Sequence, residues 1–403
     1  MMTLFRYELK KIWHPPLVLT LLAFGLLYYF LLPATYIHQF RYGSDRAASF
    51  EISSEWILRY GTSVDAEERK DLEIQLSWEI EQFNTSLADL PPSLTLGIDN
   101  YESFMEFQEA HFVASTRDKG RGDMEQERRI WQIIEATPFF RIQAIKRFME
   151  FYDHNVSIVA QGVPPSPEYP SALRSRILKL RRSPRFFGYL PVSVMEASVN
   201  YFRSLAIWLV FSTVFFLSPT LVRDRLYRTR AMQCSSRTGR GLLSIQQTAA
   251  LFSALLFFLL NLTFYLYLFL RMQPLHFAKL GVLSVWQPVS SWVDWTYGGY
   301  LLFLIACLFL LCLITAMLTI FFSRYSKNYT ELILRMIPLC ILLGGFYASW
   351  SFYFPLFFRK LHPSSDIWLF QRIEPFSLLL LLCAALFLSK RMRKQAQSAE
   401  ETS

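Results

Sequence analysis

"SLAIWLVFSTVFFLSPTLVRDRLYRTRAMQCSSRTGRGLLSIQQTAALFSALLFFLLNLTFYLYLFL" runs from Ser204 to Leu270. Two apolar runs, 203–222 and 248–270, flank a stretch (221–247) that holds six arginines and a single acid, Asp224. Each apolar run is about 20 residues long, enough for a helix to cross a hydrocarbon core of roughly 30 Å. The connection is too short and too basic to be a domain, so the pattern reads as two membrane spans joined by a charged loop. Similar runs recur at 16–36, 300–322, 332–354 and 373–389. With 53% hydrophobic residues and 37 Phe in 403, the chain lies far outside soluble composition. The expectation is an all-α integral membrane protein with six transmembrane helices.

The first run could imitate a signal peptide, but Pro15 and Pro16 open it and no convincing small-x-small cleavage site follows Phe30 or Pro33. It is read as a permanent helix, 15–36. Segment 37–200 then holds 24 Asp/Glu and 19 Lys/Arg, whereas the rest of the chain holds 8 and 22. With six spans, the N-terminus, loop 223–247, the turn carrying Arg324 and Lys327, and the tail with Lys390, Arg391, Arg393 and Lys394 share one side. The positive-inside rule makes that side, and both termini, cytoplasmic. Segment 37–200 is therefore expected to be extracytoplasmic, followed by five further spans over 201–390 and a polar tail over 391–403.

Residues 1–14 read as an amphipathic elbow. On a helix, Met2, Phe5, Leu9, Ile12 and Trp13 share one face, while Thr3, Arg6, Lys10 and Lys11 take the other. Such a helix would lie on the inner leaflet before the proline pair turns the chain into the bilayer; an ordinary charged flank is the plainer alternative. Segment 37–200 is long enough for its own core. Its apolar residues recur at helical period: Leu72, Leu76, Ile80 and Phe83, with a second stripe of Ile74 and Trp78. A mostly helical domain is expected, with one helix broken near Pro138 and a Pro-rich linker at 162–170. Arg174, Arg176, Lys179, Arg181, Arg182 and Arg185 follow within twelve residues. That cluster suits either lipid headgroups or an anionic ligand.

The chemistry-bearing motifs are absent. No phosphate-cradling loop, no H-E-x-x-H and no G-x-S-x-G occur, and the six histidines are scattered with no i, i+4 pair. No catalytic residue and no metal site is expected, and Cys234, Cys307, Cys312, Cys340 and Cys383 suggest no disulfide framework. Within the spans Asn261 reads as interhelical glue or a substrate contact, and Glu331 with Arg335 as an i, i+4 ion pair at a membrane boundary. Four N-x-[ST] sequons, at Asn84, Asn155, Asn261 and Asn328, are read as chance occurrences.

The basic loop 221–247 resembles the signature region of type-2 ATP-binding-cassette (ABC) transporter permeases. Asp224 stands where that family usually has Glu, Arg228-Thr229 near its G-T, and Ser235, Ser236, Arg237, Gly239 and Arg240 match its later part. The elbow "YELKKI" and the six-span count extend the likeness, while Gln246-Gln247 replaces the family's lysine and a full domain replaces a short first loop. The aromatic-rich 347–375 is similar in position to the family's short re-entrant external helices. The resemblance implies a bacterial plasma-membrane permease half, an exporter of a hydrophobic, amphipathic or peptide-like substrate, that pairs with a second half. A separate cytoplasmic subunit would carry ATP and Mg, and drive it through a coupling helix involving Asp224, Arg225, Arg228, Ser236, Arg237, Gly239 and Arg240. No cofactor is expected in this chain and no nucleic acid as partner. A mechanotransmitting permease without cargo, or a polytopic enzyme or receptor, are the alternatives.

Overall fold

The computed structural model describes residues 2–38, 40, 43–117, 124–162, 164–165, 171–226, 242–285, 294–347, 359–360, 368–369 and 373–401. These are almost entirely helical. A basic amphipathic helix α1 (Met2–Ile12) leads to α2 (Pro15–Leu31), which starts on its proline pair, where missing N–H groups cost nothing. Leu32 interrupts the helix, and α3 (Pro33–His38) continues it.

The domain follows as α4 (Ser44–Tyr60), α5 (Ala66–Ala88), α6 (Pro92–Thr95), α7 (Tyr101–Arg117), α8 (Met124–Ala136), α9 (Phe139–Ala160) and α10 (Ser171–Leu180). A capping box fixes the start of α5: the Asp65 carboxylate accepts from the Glu67 and Glu68 amides, and Glu68 accepts from the Asp65 amide. The break expected near Pro138 separates α8 from α9.

Next come α11 (Val192–Leu217), α12 (Pro219–Leu226), α13 (Leu242–Leu270) and α14 (Tyr297–Tyr325). The helix of the second span thus starts at Val192, ahead of the expected 203. Its first turns carry Ser193, Glu196, Ser198 and Asn200, which lower hydropathy, although Ser193 and Ser198 are buried.

Among the described residues, four helices are long and apolar enough to cross a membrane: Pro15–His38, Val192–Asp224, Leu242–Leu270 and Tyr297–Tyr325. The chain is built as a membrane protein. The expected fifth run, 332–354, is not one continuous α-helix. It begins as α15 (Tyr329–Cys340) and continues as a π-helix over Ile341–Tyr347. Pro338 lies inside α15 and lacks the N–H that its i−4 carbonyl needs. In the 347–375 stretch, the place of the expected re-entrant helices, the described residues include an antiparallel pair, β1 (Arg359–Lys360) with β2 (Trp368–Leu369). The last expected run lies within α16 (Ile373–Glu401).

Side-chain contacts fix how the spans run. Trp13 donates to Ser253 Oγ (3.1 Å) and Tyr265 to the Gly25 carbonyl (2.9 Å), both at a sequence offset of 240, so the first and third spans are parallel. Ser198 with Tyr297, and Thr213 with Cys312, share an offset of 99, so the second and fourth are parallel too. Tyr28 bonds the Ser204 carbonyl (2.8 Å) while Trp13 stacks edge-on against Phe216 (5.1 Å), which makes the first and second antiparallel. Gly25 permits the close approach: a Cβ there would sit 2.9 Å from the Trp208 ring.

One end of this bundle carries α1 and the two ends of the basic loop. The other carries the domain, and there the cores merge. Trp56 of α4 and Phe148 of α9 pack on Tyr189 just before α11; the Phe148 and Tyr189 ring centroids lie 4.9 and 5.6 Å from that of Trp56. Phe50 meets Phe277 (5.0 Å) and Phe40 meets Phe269 (5.7 Å). These residues belong to one continuous buried cluster that runs into the spans through Phe202, Leu209 and Leu304.

A second cluster fills the domain's far side, around Phe83, Phe104, Ile133 and Ile142. Leu72 and Phe83 of the expected stripe are buried, but Ile74 and Trp78 are more than half exposed. Between the two clusters the Arg141 guanidinium binds Glu55 and the buried Glu79 (2.7 Å). Burial opposes its charge, but the hydrogen bonds and charges of Glu55 and Glu79 outweigh that and hold its pKa above the ordinary value.

Candidate functional site

At the end away from the domain, four polar side chains from three separate parts of the chain converge. Lys11 of α1 forms ion pairs with Asp224 and, at 3.4 Å, with Glu8 one turn earlier. Gln246, in the first turns of α13, donates to Asp224 (2.7 Å) and to Glu8 (3.3 Å). Glu8 is 3% exposed and Gln246 5%, so the group is shielded from water even though it lies at the end of the bundle. Two carboxylates share one ammonium and one amide, an arrangement whose Coulomb interactions are strengthened by burial.

Local structure explains how each member arrives. The apolar face of α1 packs on protein: Ile12 is buried, while Phe5, Leu9 and Trp13 are half-buried, Phe5 facing Phe252 and Trp13 wedged between Phe216 and Ser253. Glu8 and Lys11, three residues apart, then point at the α12–α13 side. Lys10 is exposed and follows the expected basic face, whereas Lys11 turns inward. Asp224 lies in the last turn of α12, and Gln246 lies one turn into the helix that the basic loop leads into. The neighbouring Gln247 amide contacts the Met392 sulfur (3.7 Å), which brings α16 to the same place.

Asp224 is thus the described member of the expected coupling set, and its carboxylate is engaged within the chain. Arg228, Ser236, Arg237, Gly239 and Arg240 lie outside the described residues, as does the side chain of Arg225. Glu8 and Gln246 were not among the expected site residues, although both fall in stretches the sequence singled out, the elbow "YELKKI" and the pair Gln246-Gln247. The available signals were a lone acid in an otherwise basic helix, and a Gln pair opening a long apolar one.

The other singled-out residues sit apart from this junction. Asn261 accepts from the Trp208 indole (2.8 Å) and donates to the Phe257 carbonyl (2.8 Å), bridging α11 and α13 as interhelical glue does. Asn328 caps α15 by accepting from the Glu331 amide (2.8 Å), and Glu331 pairs with Arg335 one turn on. Asn84 accepts from the Tyr101 amide (2.8 Å), and Asn155 is buried. All four sequon asparagines therefore serve the fold.

An apolar cleft of about 330 Å³ opens between α13 and α14, lined by Phe252, Leu255, Phe258, Phe309, Cys312 and Leu313 among others. It offers contacts for hydrocarbon and almost no polar partner. Among the described residues, no group of three or more His, Cys, Asp or Glu is placed to hold a metal ion. No known family model, curated protein or solved structure matches this chain.

Proposed function

We propose that this chain is the membrane-spanning permease subunit of a type-2 ABC transporter, crossing a bacterial plasma membrane six times with both termini in the cytoplasm. The observation that carries the reading is the junction of Glu8, Lys11, Asp224 and Gln246. It fastens α1 to both ends of the basic loop. A force applied to that loop by a soluble partner would reach the first three spans together, as a coupling element requires. In this reading the arginines of the loop meet an acidic cleft on a separate ATP-binding subunit, which supplies ATP and Mg, and α1 lies as an elbow at the inner leaflet. A second permease half, identical or related, completes the path. The apolar cleft between α13 and α14 agrees with export of a hydrophobic, amphipathic or peptide-like substrate.

The fused core around Trp56, Phe148 and Tyr189 favours a second reading, in which span movements are passed to the domain and act on extracytoplasmic partners without cargo. Vesicle transport assays separate the two.

Coexpression with the ATP-binding proteins encoded beside it, followed by purification, tests the partnership. The full chain is expected to retain such a subunit, and Arg237→Ala with Arg240→Ala to lose it without changing membrane insertion. Retention of no ATP-binding subunit, or unaltered retention by the double variant, would overturn the coupling assignment.

A further inference from the structure

The end of the bundle nearest the domain carries a second concentration of positive charge. Residues 37–170 hold 23 Asp/Glu against 13 Lys/Arg, so the domain is acidic. Immediately below it the sign reverses. Residues 171–190 contain Arg174, Arg176, Lys179, Arg181, Arg182 and Arg185, and residues 271–285 contain Arg271 and Lys279; neither stretch contains an Asp or Glu.

The fold brings these two stretches together. Gly281 packs so closely on Arg185 that a Cβ would lie 2.6 Å from the Arg185 Cβ. The Leu190 and Ser284 neighbourhoods meet through the Leu190 amide and the Ser284 hydroxyl (3.3 Å). Asp294 is the acid beside them, and it is already engaged by Ser183 (2.7 Å) and Arg185 (3.4 Å). Lys179, Arg182, Arg271 and Lys279 are exposed.

The height of this collar is set by the spans. Arg271 directly follows the last residue of α13, and Ala278 accepts from the Gly298 amide (2.9 Å) in the first turn of α14. Exposed apolar side chains interleave with the charges: Leu275 is 55% exposed, Leu178 41% and Trp295 36%. Ile177 and Leu180 are buried. Basic heads beside half-exposed Leu and Trp at the ends of spans match the headgroup layer, where aliphatic and indole groups dip into the acyl boundary and ammonium or guanidinium groups meet phosphate.

We infer that this collar, built from 171–185 and 271–279, binds anionic phospholipid headgroups of the leaflet on the domain side. Its charges are spread along two stretches at the ends of the spans, which suits a lipid layer better than one small ligand. It also seats the acidic domain at a fixed height above that leaflet.

The test uses the purified full chain in neutral detergent and follows the thermal unfolding midpoint. Three additions are compared: phosphatidylglycerol, phosphatidylcholine and inorganic phosphate. Phosphatidylglycerol is expected to raise the midpoint and the other two to leave it unchanged. Each charge near an anionic surface contributes about 1 kcal/mol, roughly fivefold in affinity. The variant Lys179→Gln, Arg182→Gln, Lys279→Gln should therefore need at least about tenfold more phosphatidylglycerol for the same rise.

Its midpoint without lipid checks that folding is intact. A control variant in the domain, Lys70→Gln with Arg128→Gln, should respond as the unmodified chain does. A full phosphatidylglycerol response in the triple variant would overturn the inference by placing the lipid at the opposite, basic end. An equal response to inorganic phosphate would overturn it in favour of a free-anion site.

Discussion

Both ends of the helix bundle have apolar packing, but the end that carries α1 adds a buried polar junction to it. At the domain end, Trp56, Phe148 and Tyr189, with Phe50 on Phe277, form a continuous aromatic contact between domain and spans. At the other end, α1 packs through Phe5, Leu9, Ile12 and Trp13, and the two ends of the loop are tied to it by the polar junction of Glu8, Lys11, Asp224 and Gln246. Apolar burial is non-directional and is lost only by exposing surface to water, so the domain end resists separation. An ionic junction is directional, and a competing charge can take over one of its partners. The domain end therefore rests mainly on apolar burial, whereas the loop end adds directional polar contacts to its apolar packing.

The largest expected effect comes from the fused end. Trp56 is 1% exposed, and Trp56→Ala removes the ring that both Phe148 and Tyr189 pack on. Large-to-small changes at such sites cost about 3–5 kcal/mol, so the full chain should unfold at a markedly lower temperature. A loss below about 1 kcal/mol, far under the usual cost of such a truncation, would mean that the domain is only tethered to the spans, and the contrast between the ends would fail.

The junction gives the next effect, with a more informative pattern. Lys11→Met leaves the Glu8 and Asp224 carboxylates without their shared cation, at a cost of about 3 kcal/mol for a buried pair broken from one side. Adding Glu8→Gln removes one of the two negative charges and should recover part of the loss. Denaturant midpoints of the single and double variants measure that coupling. Strict additivity would show that the four side chains do not act as a unit.

What was legible in the sequence follows the same division. The apolar runs at 16–36, 203–222, 248–270 and 300–322 declare themselves because burial in lipid demands length and composition together. The start at Val192 was hidden because Ser193, Glu196, Ser198 and Asn200 lower the hydropathy of its first turns. In the 332–354 run, Pro338 and the pair Gly344-Gly345 lie where the α-helix gives way to a π-helix, and the run's hydropathy does not register them.

The second stripe on α5 failed because period alone does not say which face is covered; Ile74 and Trp78 face outward. Asp224 stood out as the lone acid among six arginines. Its partner Lys11 lies 213 residues away, and no local pattern encodes such a pairing.

The smallest expected effect tests whether burial, rather than the mere presence of ions, makes the junction matter. Glu331 and Arg335 also form an ion pair, but their side chains are 29% and 39% exposed and one turn apart on the same helix. Such pairs gain little over water, because the charges are well solvated apart and holding two long side chains together costs entropy. Arg335→Ala should therefore change the unfolding midpoint by no more than about 0.5 kcal/mol equivalent. Glu331→Ala should cost somewhat more, since the Glu331 carboxylate also accepts from the Lys327 amide (2.6 Å) at the start of α15. If Arg335→Ala proved as costly as Lys11→Met, geometry on a single helix would suffice to explain both. The shielding of Glu8 and Gln246 would then no longer set the loop end apart.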